Sequence, residues 1–209
     1  MKETQLKGIV LKEIREALME KNDPVHSAVC INEGATFINA DSGDLPVVYA
    51  KSFIQAGGML HYCLDEAAIS KALRDIQHQN GDCAIGCASE NLTTFMGHLG
   101  IPDCSTCTLD ASHQLGASLC EALLAWQGSI VITSNLGLGK TILSLPKTTI
   151  IIAFTSQVVT DWEMANKRLK QLYGDYPATV LIANPNSYAC RRGLQKLHLI
   201  LIEDEQTDQ

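Results

Sequence analysis

The chain has 209 residues, 46% hydrophobic and 19% charged, with a formal net charge of −7. That length suffices for one sizeable core, and the acidic balance argues against a nucleic-acid binder, which carries a basic patch or stripe. No apolar run approaches the roughly 20 residues of a membrane span, so no membrane partner is expected.

The segment MKETQLKGIVLKEIREALMEK is charged throughout and lacks a signal-peptide core, so the expected location is the cytoplasm. Residues 3–21 read as an amphipathic helix with Leu6, Val10, Ile14 and Leu18 on one face. Asn22-Asp23-Pro24 stops it, and 25–43 mixes short apolar pieces with turn residues. A helix is predicted from Leu45 to Ala56, ended by Gly57-Gly58, then a strand from Met59 to Cys63. Asp65 caps a second helix whose inner face is Ile69, Ala72, Leu73 and Ile76. A strand over 83–87 and a helix from Glu90 to Leu99 complete a βαβα alternation, the pattern of a parallel sheet covered by helices.

Leu115, Leu119 and Leu123 are spaced as on a helix, predicted over 112–126. The stretch 128–154, GSIVITSNLGLGKTILSLPKTTIIIAF, then reads as strands at 129–133, 141–145 and 148–154. The first two are separated by a glycine-rich loop, the last two by Pro146-Lys147. An uninterrupted run such as Ile150-Ile151-Ile152 belongs where a strand is buried on both faces. Thr160-Asp-Trp-Glu163 reads as a capping box for a helix with Trp162, Ala165, Leu169 and Leu172 inside, followed by strands at 179–183 and 197–202. One domain over 1–209 is expected, with its core in about 45–204 and a solvated acidic tail.

Candidate chemistry centres on the loop. Gly139-Lys140-Thr141 copies the end of a P-loop, but Ser134 stands where its first glycine belongs, and Pro146 interrupts the helix that a P-loop must open. Nucleotide hydrolysis is therefore disfavoured. A small anionic ligand is the alternative, held by Ser134, Asn135, Gly137, Gly139, Lys140 and Thr141, because the glycines let backbone amides approach and Lys140 adds a point charge. Asn91, Thr93, Ser134 and Lys140 would then converge where strand carboxyl ends meet helix amino ends. No catalytic residue stands out: Glu33 and Glu90 are the carboxylates in Gly- or Ser-bearing loops, and each reads better as a turn or cap residue.

Eight cysteines, at 30, 63, 83, 87, 104, 107, 120 and 190, are expected to be reduced thiols in a chain of this size. Cys104 and Cys107 form a C-x-x-C pair and Cys83 and Cys87 a looser one, so these are the ligands to consider should a metal bind. The favoured reading is free thiols and no metal, with His61, His98, His113 and His198 as packing or surface residues.

AWQGSIVITS, LSLPKTTIIIAF and DWEMANKRLKQL, with VVYAKSFIQAGGMLHYCLDEAAISKAL upstream and LHLILIED downstream, resemble the LUD domain, the family of lactate-utilisation protein C. The resemblance covers most of 45–204. It implies a three-layer α/β/α fold with a mostly parallel, Rossmann-like sheet, shared with sugar-phosphate isomerases and CoA transferases. It also implies a component of L-lactate to pyruvate oxidation working with iron–sulfur partner proteins. No flavin fingerprint or four-cysteine cluster signature lies in this chain, so no cofactor of its own is expected, and an accessory or ligand-binding role fits better than a self-contained oxidoreductase. The alternative is an enzyme or sensor for a phosphorylated or CoA-linked small molecule; a homo-oligomer is compatible with either. The chain departs from the family near its last strand. A Gly-Pro-Ser-Arg-Thr-Ala-Asp-Ile motif is replaced by ANPNSYACRRG over 183–193, with Pro185, Ser187 and Arg191 as echoes, so a site built on that motif does not carry over.

Overall fold

The structure, a computed structural model, describes residues 44–101, 103–107, 113–136, 146–175, 177–186 and 196–203. The predicted helix at 3–21, the segment 25–43 and the strand at 141–145 lie outside these residues. In chain order the elements are α1 (Leu45–Gln55), β1 (Met59–Cys63), α2 (Glu66–Gln79), β2 (Ile85–Cys87), α3 (Glu90–His98), β3 (Cys104–Thr106), β4 (Leu115–Leu119), β5 (Ala122–Leu124), β6 (Ser129–Thr133), β7 (Thr148–Phe154), β8 (Val158–Val159), α4 (Trp162–Tyr173), β9 (Val180–Ala183) and β10 (Lys196–Ile202).

Six strands form one sheet in the order β1-β10-β7-β4-β2-β3, parallel throughout. At its centre β7 is buried at every position, which explains why its sequence is apolar without alternation. Ile150, Ile152 and Phe154 face one side with Leu115, Ala117 and Leu119 of β4 and Ile200 and Ile202 of β10. There they meet the inner residues of α2 and α3, among them Ile69, Leu73, Ile76, Leu92 and Met96. Asp65 and Ser89 cap these two helices, accepting from the amides of Ala68 at 2.7 Å and Leu92 at 3.3 Å.

Ile151, Ala153, Leu199 and Leu201 face the other side, against Tyr49 and Phe53 of α1 and Leu123, Ile130 and Ile132 of a second sheet. The second sheet runs β8-β5-β6-β9, with β5 and β9 antiparallel to β6 and β8 parallel to β5. On its outer face Ala165 and Leu169 of α4 pack on Ala122, Leu124 and Val131. The fold is thus α/β, a mostly parallel central sheet with helices on both faces, and on one face a small sheet lies between the central sheet and its helix.

Three expectations need correction. The helix predicted over 112–126 is two strands and a short turn, because leucines four apart also share one face of a strand. Leu115 and Leu119 lie on one face of β4, whereas Leu123 belongs to a different sheet. Second, the strand predicted at 129–133 is not part of the parallel sheet but is an inner strand of the small one. Third, Asp161 rather than Thr160 caps α4. Its backbone is extended and its Oδ1 accepts from the Met164 amide at 3.1 Å, while the Thr160 hydroxyl donates to its Oδ2. A carboxylate satisfies the positive end of a helix better than a hydroxyl does.

Candidate functional site

The two sheets separate at Cys120-Glu121, immediately after β4, and a buried polar seam forms there. Glu121 is 3% exposed. Its amide donates to the Val131 carbonyl at 2.8 Å, and its Oε1 accepts from the hydroxyls of Thr133 and Tyr173, each at 2.6 Å. A carboxylate can be kept inside a protein only when donors replace its water, and these two hydroxyls from β6 and α4 do so. Burial, then the hydrogen bond and charge of Glu121, push the Tyr173 phenol above its ordinary range. Burial, then the same charge, raise the neighbouring Cys120 thiol, with Arg168 opposing.

Gln157 closes the seam from the 3-10 turn that follows β7. Its carboxamide accepts from the Phe154 amide at 2.7 Å and donates to the Cys120 carbonyl at 2.6 Å, tying the carboxyl ends of β7 and β4 together. Arg168 donates to the Ser156 carbonyl at 2.9 Å. The seam therefore lies at the carboxyl edge of a parallel sheet, the edge at which α/β proteins bind ligands.

The seam also fixes the start of the glycine-rich loop. Thr133 Oγ1, while donating to Glu121, accepts from the Asn135 amide at 3.3 Å. Ser134 is committed to β9: its amide donates to the Thr179 carbonyl, and its hydroxyl accepts from the Thr179 amide. Leu136 packs against both principal hydrophobic clusters. Of the predicted ligand residues, Ser134 and Asn135 are thus placed in a 3-10 turn at the sheet edge, while Gly137, Gly139, Lys140 and Thr141 lie outside the described residues. Asn91 is exposed, and Thr93 bonds to Thr106, hydroxyl to hydroxyl at 2.8 Å.

The C-x-x-C spacing does not bring its thiols together. Cys104 packs with the cluster under α3 and Cys107 with the cluster on the opposite face, as an odd separation on an extended chain requires. Cys104 pairs instead with Cys87 across β2 and β3. Their mutual hydrogen bond, helped by Thr93, lowers the Cys87 thiol and raises the Cys104 thiol. Cys83 donates to the Asn80 carbonyl. Among the described residues no three His, Cys, Asp or Glu side chains are grouped to hold a metal.

Two histidines read as unrelated packing or surface residues are in contact. His61 Nε2 and His198 Nδ1 are 3.0 Å apart, the rings are stacked at 5.3 Å, and His198 Nε2 is buried without a partner. Burial, with the charges of His61 and Lys196, brings His198 down to about 4. Burial also lowers His61, against the charge of Asp75. The sequence signal for Glu121 was a single carboxylate in the apolar run LCEALLAW, which demands buried donors.

The family model for the LUD domain matches residues 110–202. A crystal structure of a DUF162 family protein from Deinococcus radiodurans is similar in fold, with a TM-score of 0.60 at 11% identity, covering 77% of this chain and 97% of that one. No curated protein matches the sequence. The region similar to the LUD domain runs from just before β4 to the end of β10, enclosing the whole seam.

Proposed function

We propose that this LUD-domain protein is a cytoplasmic accessory or ligand-binding component of L-lactate to pyruvate oxidation, acting with iron–sulfur partner proteins that carry the electrons. The observation that carries the reading is the LUD match over 110–202, within which lie Glu121, Thr133, Asn135, Gln157 and Tyr173. In this reading Glu121 is a positioning residue. It holds β6 through Thr133 and so sets where the Ser134–Thr141 loop leaves the sheet. Lactate-dependent dye reduction, measured in extracts of a strain lacking this gene and any second copy, tests it. Activity should fall on deletion and return with the wild-type gene; unchanged activity on deletion would overturn the proposal. Co-purification with iron–sulfur proteins is the second expectation.

A second reading is favoured by where the loop begins. Its first residues follow β6 and are tied through Thr133 to Glu121, just beyond the carboxyl end of β4, and that end of a parallel sheet is where α/β proteins bind small molecules. A phosphorylated or CoA-linked ligand held by Ser134, Asn135, Gly137, Gly139, Lys140 and Thr141 would raise the melting temperature at saturation, and Lys140→Ala would abolish that rise. No thermal shift with any such ligand would end this reading.

A further inference from the structure

Cys87 closes β2 and Cys104 opens β3, and these strands run parallel with Ile85 opposite Cys104 and Cys87 opposite Thr106. The two cysteines are therefore diagonal neighbours, set two residues apart along adjacent strands. An even offset keeps both side chains on one face of the sheet. On that face Cys87 is buried with Leu92 and Met96 of α3, and Cys104, half-buried, packs against the same cluster. Thr93, in the first turn of α3, joins them. Its hydroxyl meets that of Thr106 at 2.8 Å and also reaches the Cys87 sulfur, which is hydrogen-bonded in turn to the Cys104 thiol. The other described cysteines are arranged differently. Cys63 and Cys83 donate to backbone carbonyls, and Cys107 and Cys120 belong with the cluster on the opposite face.

A buried thiol is ordinarily inert, because burial opposes the thiolate that does the chemistry. Here the contacts work against burial. The Cys104 thiol, and then the Thr93 hydroxyl, donate toward the Cys87 sulfur and hold its thiol below the ordinary range. The same hydrogen bond, with burial, pushes Cys104 up, since it supplies the proton. The pair is thus polarised. One sulfur is set to attack an oxidant, and the other waits beside it as a protonated thiol.

We propose that Cys87 and Cys104 are a modification site for hydroperoxides, closing reversibly to a disulfide. The Cys87 thiolate attacks the terminal oxygen of the hydroperoxide and the O–O bond breaks. The released alkoxide takes up the proton that Cys87 gave away, and Cys87 is left as a sulfenic acid. The Cys104 sulfur then attacks the Cys87 sulfur, the S–O bond breaks, and the Cys104 proton leaves with the hydroxide as water. Two thiols are oxidised by two electrons in all, and the hydroperoxide is reduced to an alcohol and water. Closing the bridge moves β3. Cα atoms joined by a disulfide lie about 4.4–6.8 Å apart, less than the roughly 8 Å diagonal across neighbouring strands, so β3 must slide along β2. It is suited to do so, as an edge strand of three residues with Ser105 and Thr106 exposed. A bridge under that strain is readily reduced again, as a reversible modification requires.

The test maps the bridge in the wild-type, full-length chain, so it does not depend on a variant folding. The reduced protein is treated with stoichiometric hydrogen peroxide, its remaining thiols are blocked with N-ethylmaleimide, and it is cleaved after acidic residues. Cuts at Asp82, Glu90, Asp103 and Asp110 put Cys83 and Cys87 on one peptide and Cys104 and Cys107 on another. The two peptides should be joined, with fragmentation placing the bond between Cys87 and Cys104, and dithiothreitol should separate them. With Cys104→Ser, Cys87 should be captured by dimedone as a sulfenic acid about tenfold faster than Cys83. The amides of Ile85 and Cys107 now donate to the Asp103 and Cys87 carbonyls, each at 3.0 Å, and should exchange hydrogen several-fold faster once the bridge closes. No linked peptide, a bond through Cys83 or Cys107, or dimedone capture at Cys83 as fast as at Cys87 would overturn the proposal. Unchanged exchange in the bridged chain would overturn the slide of β3.

Discussion

The central parallel sheet and the seam beside it are both buried, yet they are held by different forces. In the sheet, β7 is covered on both sides by aliphatic side chains, and its stability is spread over many contacts that no single residue dominates. In the seam, one carboxylate, two hydroxyls and one carboxamide fasten the ends of β4, β6, β7 and α4 through a few short hydrogen bonds. An apolar layer tolerates exchange of similar volumes, whereas a polar network tolerates none of its members being removed. The contrast explains how one fold can keep a generic core and still define a specific edge.

Five substitutions sharpen the comparison. Glu121→Ala strands one buried and one half-buried hydroxyl and should cost about 3 kcal/mol, against about 1 kcal/mol for Ile151→Val in the sheet, both read from urea unfolding. Equal losses would remove the distinction. Gly128→Ala comes next: φ is +56° and the added Cβ meets α1 backbone, so about 3 kcal/mol should be lost. A near-neutral result would mean that α1 is free to move away from the turn.

The third prediction concerns acid. His198 is held down to about 4, first by burial, against an ordinary value of 6.5, so between these limits the unfolded chain binds more protons than the folded one. Stability present above pH 6.5 should therefore fall as the pH drops through the window and level off below about 4, losing on the order of 2 kcal/mol. His198→Leu should flatten urea midpoints measured from pH 7 to 4; an unchanged slope would assign the acid loss to other groups. The smallest effect has the opposite sign. The Tyr49 hydroxyl is buried with no partner among the described residues, and Tyr49→Phe should gain up to about 1 kcal/mol in melting experiments. A loss instead would reveal that the hydroxyl has a partner.

The central sheet was readable in the sequence where residues announce both their burial and their boundaries. Ile150-Ile151-Ile152 could only be a doubly covered strand, and Asp65 and Gly57-Gly58 marked a helix start and a helix end. The seam was not readable, for the same reason that it is distinctive. Its partners come from positions 121, 133, 157 and 173, and no local pattern records that they meet. The leucines at 115, 119 and 123 then misdirected the reading, since spacing by four suits a helix face and, being even, a strand face equally well. Pairings across sequence, such as His61 with His198 and Cys87 with Cys104, escaped notice for the same reason. The loop signal at Ser134 and Asn135 did lead to the sheet edge, though the residue that holds it there is Glu121.

The most direct test asks whether the seam serves lactate oxidation or only folding. The deletion strain is complemented with Glu121→Gln and, in parallel, with a sheet variant such as Ile151→Val combined with further apolar truncations until its urea midpoint matches. At equal protein abundance, lactate-dependent dye reduction should be lost with Glu121→Gln and retained with the matched sheet variant. Equal activity from the two would contradict the account and leave Glu121 a residue of stability alone.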